Sequence, residues 1–401
     1  MGWIPNLIRA KAPAKLDCEV EFREAGKKEL KVLETNPPNF ILDRVVNTVA
    51  LANFYDFRKL YDLVLRTSPE VAACPFPGYV TYLTRNPKVI QTWLSLHRND
   101  SLFTLSESDS AVFKLIQQCY PAIQKDDIVF TCSPKMTAAY HKFLENFFSI
   151  QSMKNRIDSI EEKIEQVLQE WNGEEISLNP KVASLASAVM SEVILGETGP
   201  CDKLAEAVSN LSLWLGDITN ASTNRVYKEM ANILPTLFLL SPEAKLETKN
   251  ILQEAINTAL SEKEFPKNTP LPLIKAMLEK DEFSKEQAIA TALSLLIAGQ
   301  NNSVTSLTYA ILKLAQNPEL QRKICQKNED PLQSELIRGI LSESLRVMCP
   351  VNSISRLVNK ASVLTLKGEK SLLVRAGEKV NSVLAQVARD SNLYPNPDQF
   401  D

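Results

Sequence analysis

Apolar residues recur along most of the chain at the three- and four-residue spacing that places them on one face of an α-helix. This spacing predicts helices over Asn47–Thr67, Asn86–Leu96, Pro134–Ser149, Ser152–Trp171, Asn179–Leu195 and Pro242–Glu264. Residues 1–40 contain four prolines and lack this period, so we expect them to be irregular. The pattern therefore indicates a helix-rich protein.

The longest predicted helix runs from Ser284 to Ala315. Ser284-Lys-Glu-Gln287 fits a capping box, in which the serine and glutamine side chains each bond a backbone N–H at the helix start. About 31 residues at 1.5 Å each give a helix of about 46 Å. Because Ala288–Ala298 is apolar on every side, we expect this helix to run through the middle of the protein.

One more helix and several short strands are predicted. Asp330-Pro331 is typical of a helix start, and Pro350 ends that helix. Other local signals predict strands at Tyr79–Thr84, Val363–Leu366 and Ser371–Val374, a turn at Ala376-Gly377 and an irregular stretch over Ala388–Asp401. Together these elements predict a mainly α fold with small β-sheets.

Composition and charge narrow the class of protein. The hydrophobic share of 44% and the charged share of 23% are ordinary for a soluble globular chain. The formal net charge of −3 gives no electrostatic reason to expect a nucleic-acid partner. The apolar run Ile233–Leu240 is about half as long as a membrane span. We therefore expect a cytoplasmic protein without a transmembrane helix, either soluble or peripherally associated with a membrane.

Cysteine and histidine usage excludes several kinds of site. The seven cysteines are scattered and never spaced as Cys-x-x-Cys, which argues against a disulfide framework or structural zinc and favours a reducing compartment. The only histidines, His97 and His141, are far apart, so a metal site built on several histidines is not expected. Gly-x-Ser-x-Gly, Walker and Gly-x-Gly-x-x-Gly motifs are absent, which leaves hydrolases and nucleotide enzymes unsupported.

The centre of the long helix contains the polar segment Ala298-Gly-Gln-Asn-Asn-Ser303. Glycine inside a helix costs up to about 1 kcal/mol relative to alanine, so its presence needs a reason. Small residues here would leave room for a flat ligand, and the polar side chains beside them could handle protons. The alternative is a packing glycine where another helix crosses.

Glu343-Ser-Leu-Arg346 is the second segment of interest. Residues three apart share a helix face, so this pair can form an ion pair. Glu335-Leu-Ile-Arg338 has the same spacing, and spacing alone does not choose between the two. Pro350, Ser355-Arg356-Leu357 and the following β segment favour Glu343 as the functional member.

The order of these segments resembles that of a cytochrome P-450 over roughly four-fifths of the chain. The matching parts are the strand and B helix (Tyr79–Leu94), the C helix (Pro134–Phe148), the loop between the F and G helices (Ile233–Pro242), the oxygen-binding I helix (Phe283–Asn317), the K-helix Glu-x-x-Arg (Glu343–Arg346) and the meander (Ala388–Asp401). The resemblance implies one cytochrome P-450-like domain over residues 1–401. Residues 1–78 would be a divergent N-terminal part and 79–401 the recognisable core.

The resemblance implies heme as the cofactor and assigns roles to particular residues. Glu343 and Arg346 would form a buried structural ion pair that holds the meander beneath the heme. Arg356 matches the family's propionate-binding arginine, and His141 stands where the C helix offers another; a surface histidine is the alternative for His141. Ala298-Gly299 would line the oxygen side of the heme.

The chain departs from the family in the I helix. The usual pattern, Ala-Gly-x-Asp/Glu-Thr-Thr/Ser, uses its acid and alcohol to relay protons. Here Asn301 stands at the acid position and Asn302 at the alcohol position, followed by Ser303, and these three are the candidate catalytic residues. Asparagine is not a proton acid at neutral pH. Either Ser303 and ordered water replace the relay, or the site resembles family members that rearrange fatty-acid hydroperoxides.

The second departure concerns the iron ligand. The family's Phe-x-x-Gly-x-x-x-Cys-x-Gly motif is absent, and the last cysteine, Cys349, precedes Pro350. Because the sequence stops at Asp401 within the meander-like stretch, we expect a truncated member without the cysteine loop and L helix, with a degenerate relative as the alternative. No residue of this chain is expected to ligate the metal, so we expect the chain to bind heme weakly or not at all.

Together these features predict a heme monooxygenase that acts on an apolar lipid, sterol or fatty-acid-like molecule. It would use dioxygen and electrons from a reductase or ferredoxin. One alternative is a hydroperoxide isomerase or lyase of the same family. The other is a non-catalytic helical relic or scaffold.

Overall fold

The structure is a computed structural model. It describes residues 20–35, 71–76, 79–99, 103–105, 108–128, 134–171, 175–196, 201–223, 239–261, 270–327, 330–331, 333–366 and 371–400. Its backbone divides into two compact units, one formed by Met1–Ser106 with Lys313–Asp401 and the other by Glu107–Leu312. Within the described ranges, no helix is both long enough and apolar enough to cross a membrane.

Helices make up most of the described chain. In chain order they are α1 (Lys27–Thr35), α2 (Pro87–Asn99), α3 (Ser108–Cys119), α4 (Pro134–Phe147), α5 (Ile150–Lys154), α6 (Ile157–Gln169), α7 (Leu178–Leu195), α8 (Cys201–Thr223), α9 (Pro242–Ser261), α10 (Leu273–Leu278), α11 (Lys285–Ala315), α12 (Pro318–Lys327), α13 (Glu335–Val347) and α14 (Leu384–Val387).

The strands form two small sheets within the first unit. They are β1 (Val20–Glu24), β2 (Val71–Phe76), β3 (Tyr79–Thr84), β4 (Phe103–Leu105), β5 (Ile354–Val358), β6 (Ser362–Leu366), β7 (Leu372–Val374) and β8 (Lys379–Ser382). The larger sheet has the order β2-β3-β8-β5-β4, with β3 and β8 parallel, and the smaller has the order β1-β6-β7. The prediction of a mainly α fold with small sheets is confirmed.

The unit Glu107–Leu312 is built around one apolar core. Buried residues of α3, α7, α9, α10 and α11 contribute to it, among them Leu115, Ile194, Leu252, Met277 and Leu293. These positions recur at helical spacing because each helix turns one apolar face inward. The core therefore follows from the pattern in the sequence.

The predicted long helix is confirmed as α11. Its capping box forms as expected, since the Ser284 N–H donates to Gln287 Oε1 at 2.8 Å and the Gln287 N–H donates to Ser284 Oγ at 3.2 Å. Ala288 to Ser294 are all buried. The apolar first part of α11 is thus enclosed in this unit.

In the other unit, the larger sheet places Arg356 on a central strand. Arg356 of β5 pairs with Val380 of β8 on one side and with Leu105 of β4 on the other. Gly377 occupies the turn before β8 with a φ of 84°, a conformation that favours glycine, so the predicted turn at Ala376-Gly377 is confirmed.

Two helix boundaries differ from the prediction. The helix expected over Ser152–Trp171 is broken between α5 and α6, because Arg156 leaves the helical path and its guanidinium binds the carbonyl oxygens of Pro270 and Leu271. The helix expected from Asp330-Pro331 starts later, since the Asp330 carbonyl accepts bonds in a turn and Ser334 caps α13.

The expectation for the N-terminal residues was wrong where the structure describes them. Residues 20–35 form β1 and α1 instead of irregular chain, because β1 pairs with β6, more than 300 residues later. The helix predicted over Asn47–Thr67 and the apolar run up to residue 238 lie outside the described residues.

Candidate functional site

Arg346, on the last turn of α13, is the centre of a buried polar network. Its Nε and Nη2 donate to the two carboxylate oxygens of Glu343 at 2.8 and 2.6 Å. Its Nη1 donates to the carbonyls of Ala388 and Pro397, and its Nη2 also donates to that of Gln399, at 2.7 to 2.9 Å. All five guanidinium N–H groups are therefore used.

This network anchors a stretch of chain that has little regular structure. Residues 388–400 form turns, so their backbone carbonyls lack the partners that a helix or sheet would supply. The Arg346 guanidinium also lies 4.7 Å from the Tyr394 ring centre. Its side chain is only 6% exposed and that of Glu343 is 15% exposed, which distinguishes this pair from a surface salt bridge.

Sequence reasoning missed a second arginine in the same region. Arg389 donates to the Val347 carbonyl at the end of α13 at 2.8 Å and forms an ion pair with Asp398. It therefore ties the irregular stretch to α13 a second time. By contrast, Arg338, with the same Glu-x-x-Arg spacing, is exposed and donates to the Gln333 carbonyl.

Arg356, the expected propionate ligand, is half-buried on β5. One guanidinium nitrogen donates to the carbonyl of its neighbour Ser355 at 2.9 Å. Its position between β8 and β4 restrains the backbone on both sides. A half-buried cation on a strand that is paired on both sides can bind a carboxylate group.

In the unit Glu107–Leu312, two amide side chains at the polar centre of α11 bond α8. Gln300 is buried, and its Nε2 donates to the Ala205 carbonyl and to Ser209 Oγ of α8, both at 3.1 Å. The next residue, Asn301, donates through Nδ2 to Ser212 Oγ, also of α8. These two amides are therefore engaged in contacts between helices.

Gly299 lies on another side of α11, against α7. A Cβ at position 299 would overlap the terminal methyl group of Met190, so a larger residue here would force that flexible side chain to move. Ala298 and Asn302 are four residues apart and share a third side of α11. Both are partly exposed, as is Ser303.

His141 and Cys349 are the remaining candidates to place. His141 is half-buried on α4. Cys349 lies beyond the end of α13, and its thiol donates to the Val351 carbonyl at 3.1 Å. The roles that the family resemblance implies for His141, Arg356 and the residues of α11 stay predictions.

An acid on α8 was also missed by sequence reasoning. Asp217 is buried, accepts bonds from the backbone N–H groups of Leu239 and Leu240 at 2.7 and 3.3 Å, and pairs with Lys245 of α9 at 2.7 Å. The only signal was a lone acid in an otherwise apolar stretch of the helix. The Asp217 carboxylate therefore joins α8 to the start of α9.

Comparisons with known proteins agree with this architecture. The sequence profile of the family Cytochrome P450 matches residues 77–401. A biotin biosynthesis cytochrome P450 of Bacillus subtilis (strain 168) is 29% identical over 139 residues, which is 35% of this chain and 32% of the relative. The aligned part thus spans about a third of that relative's length.

Two solved structures share the fold. One is the retinoic acid bound cyanobacterial CYP120A1, with a TM-score of 0.65 and 15% identity over 87% of this chain and 76% of that one. The other is P450BioI in complex with acyl carrier protein carrying hexadec-9Z-enoic acid, with a TM-score of 0.60 and 19% identity over 86% of this chain and 80% of that one. Since the profile covers most of the sequence, this chain belongs to the cytochrome P450 family.

Proposed function

We propose that this chain is part of a heme-dependent monooxygenase that oxidises an apolar organic substrate. Dioxygen and electrons from a reductase or ferredoxin would complete the reaction. The profile match over residues 77–401 carries the proposal. The Arg346 network supports it, because it holds the irregular stretch 388–400 at the place where the family resemblance puts the meander.

The residues that the family resemblance assigns to the periphery of heme carry suitable chemical groups. Arg356 presents a half-buried guanidinium, the group best suited to bind a propionate. On α11, Ala298 offers a small side chain, and Asn302 offers an amide on the same side of the helix. In our proposal Arg356 orients the macrocycle, and Asn302 with Ser303 donates and accepts hydrogen bonds near the reacting atoms.

Three cysteines, Cys119, Cys325 and Cys349, do not fit the iron. Burial raises the pKa of Cys119 to about 12, so its sulfur stays a thiol at neutral pH. The Cys349 thiol is bonded to a carbonyl oxygen, and Cys325 lies exposed on α12. Heme bound through a thiolate supplies oxygen-splitting chemistry. In our proposal the role of the chain's own residues is to hold and orient heme.

An apolar, lipid-like substrate is the class that the comparisons support. The two solved neighbours were determined with retinoic acid and with a hexadecenoic acid on its carrier protein. Both molecules join a long apolar chain to a carboxyl-derived end. We propose a substrate of this kind, with fatty acids as the first compounds to test.

The test uses a version of the chain extended by a loop of the family pattern Phe-x-x-Gly-x-x-x-Cys-x-Gly and loaded with heme. It is incubated with a long-chain fatty acid, dioxygen and a reductant, and oxygenated products are measured by mass spectrometry. We expect hydroxylated fatty acid only when the reductant is present. A heme-loaded protein that forms no oxygenated product from any apolar substrate would contradict the proposal.

A hydroperoxide isomerase is the second candidate, because amides occupy both the acid and the alcohol positions at Asn301 and Asn302. An asparagine can bind a peroxide by hydrogen bonds but cannot relay protons as an acid does. The same protein is therefore given a fatty-acid hydroperoxide without reductant. Rapid conversion under that condition, with no hydroxylation under the other, would favour the isomerase.

A further inference from the structure

The contacts of α11 with α8 involve two consecutive amide side chains. Gln300 reaches Ala205 and Ser209, and Asn301 reaches Ser212. The three partners lie at positions i, i+4 and i+7 of α8, which is one face of that helix. The two amides therefore bond a line of positions along α8 and not a single residue.

Gln300 is unusual because its burial leaves a polar atom without a partner. Its side chain is 1% exposed, and Oε1 has no hydrogen-bond partner among the described residues. Exchanging the amide oxygen and nitrogen would place Oε1 against the Ala205 carbonyl, so the orientation is determined by that contact. An unpaired buried carbonyl oxygen destabilises the folded chain. Stability alone is thus a poor explanation for a glutamine here.

The amides determine how α11 is turned about its own axis. Gln300 and Asn301 face α8, and Gly299 faces Met190 of α7, so these two contacts fix two directions around the helix. Successive residues are turned by about 100°, which leaves Ala298 and Asn302 together on a side that neither contact uses. A rotation of α11 would break the hydrogen bonds before it moved these residues far.

We propose that Gln300 and Asn301 are positioning residues that lock α11 to α8 and thereby orient Ala298 and Asn302 for the reaction. This inference rests on the proposed function for the role of Ala298 and Asn302. Asn301 acts through Ser212 in this view and does not take the place of the proton-relaying acid. Asn302 is then the amide on the reacting side.

The test measures hydrogen exchange in the full chain without heme, by mass spectrometry of peptides covering Ala205–Ser212 and residues 298–302. Asn301→Leu and Gln300→Met remove the hydrogen bonds at nearly constant volume. Asn301→Asp keeps an acceptor for the Ser212 hydroxyl. Thr308→Val is the matched control, because Thr308 of α11 bonds Asn179 of α7 and not α8.

We expect exchange in both peptides to become at least tenfold faster in Asn301→Leu and Gln300→Met. Exchange in α9 and α10 should be unchanged, and Asn301→Asp and Thr308→Val should behave like the original chain. Three results would overturn the inference: protection retained in Asn301→Leu, acceleration in Asn301→Asp equal to that in Asn301→Leu, or uniform acceleration over all helices. Heme is absent from this assay, so its outcome is independent of the monooxygenase test.

Discussion

Each of the two units buries an arginine, and the two arginines are bound in different ways. Arg346 is 6% exposed and Arg156 is 7% exposed. Both donate to backbone carbonyls of irregular chain, Arg346 to three of them and Arg156 to those of Pro270 and Leu271. Both also lie over an aromatic ring. Among the described residues, the Glu343 carboxylate is hydrogen-bonded to Arg346, whereas Glu192 acts on Arg156 only through its charge.

The bonded carboxylate lowers the free-energy cost of burying the arginine side chain. Arg346 shares its charge with Glu343, and all its N–H groups have partners. Arg156 has neutral acceptors and the Phe147 ring, its Nε is buried without a partner in the described part of the chain, and burial lowers its pKa. A fully satisfied ion pair thus holds the irregular stretch 388–400. A partly satisfied cation is sufficient to hold an ordinary loop.

Replacing Arg346 should have the largest effect on stability. Arg346→Leu leaves Glu343 buried without its counter-charge and releases three carbonyls, which we expect to cost about 3–5 kcal/mol in the free energy of unfolding. Urea denaturation measures the loss. Arg338→Leu is the matched control, because Arg338 has the same spacing from an acid but is exposed. Equal losses in the two variants would contradict the special role of Arg346.

Replacing Arg156 should cost less. Arg156→Met removes the bonds to two carbonyls and the contact with Phe147 but leaves no bonded carboxylate behind, and it also removes an unpaired buried Nε. We expect a loss of about 2 kcal/mol, measured by the same denaturation. A loss as large as that of Arg346→Leu would show that the bonded carboxylate does not explain the difference.

Breaking the exposed ion pair between Arg23 and Glu29 should have the smallest effect on stability. Arg23 donates to both oxygens of Glu29, at 2.7 and 3.0 Å, and this hydrogen bonding, with a further bond from the Gly26 N–H, lowers the pKa of Glu29 to about 2. Because the pKa of Glu29 is lower in the folded chain, the pair stabilises the fold above the ordinary pKa of about 4.3. This stabilisation is lost as pH falls towards 2.

The pair is tested by NMR titration of the Glu29 carboxyl group. In Arg23→Leu the pKa should rise towards the ordinary value, although the Gly26 N–H still lowers it. The change in unfolding free energy should be below that of either buried arginine, because solvent screens the pair. An unchanged pKa would show that Arg23 does not cause the shift.

The parts of the fold that the sequence predicts well are those with local causes. The capping box and the continuous apolar run of α11 are both visible in neighbouring residues, and the helix forms as expected. The break between α5 and α6 was missed because Arg156 binds carbonyls more than 110 residues away. β1 was missed because its partner is the distant strand β6.

The same distinction applies to the candidate site. The choice of Glu343 and Arg346 over Glu335 and Arg338 rested on the segments that follow, and the structure gives the first pair its buried bonds. The carbonyls that Arg346 binds carry no side-chain signal. The polar segment of α11 was recognised, but the partner of Asn301 lies 89 residues earlier in the chain. Which amide faces which helix depends on packing that no local pattern contains.

Titration of the chain with hemin, followed by the change in hemin absorbance, tests the central proposal most directly. We expect weak binding by the original chain. Arg356→Leu should weaken it roughly tenfold, because a charge-assisted hydrogen bond to a propionate is lost, whereas Arg338→Leu should leave it unchanged. Measurable binding that is equal in the original chain and Arg356→Leu would contradict the proposal that Arg356 holds heme.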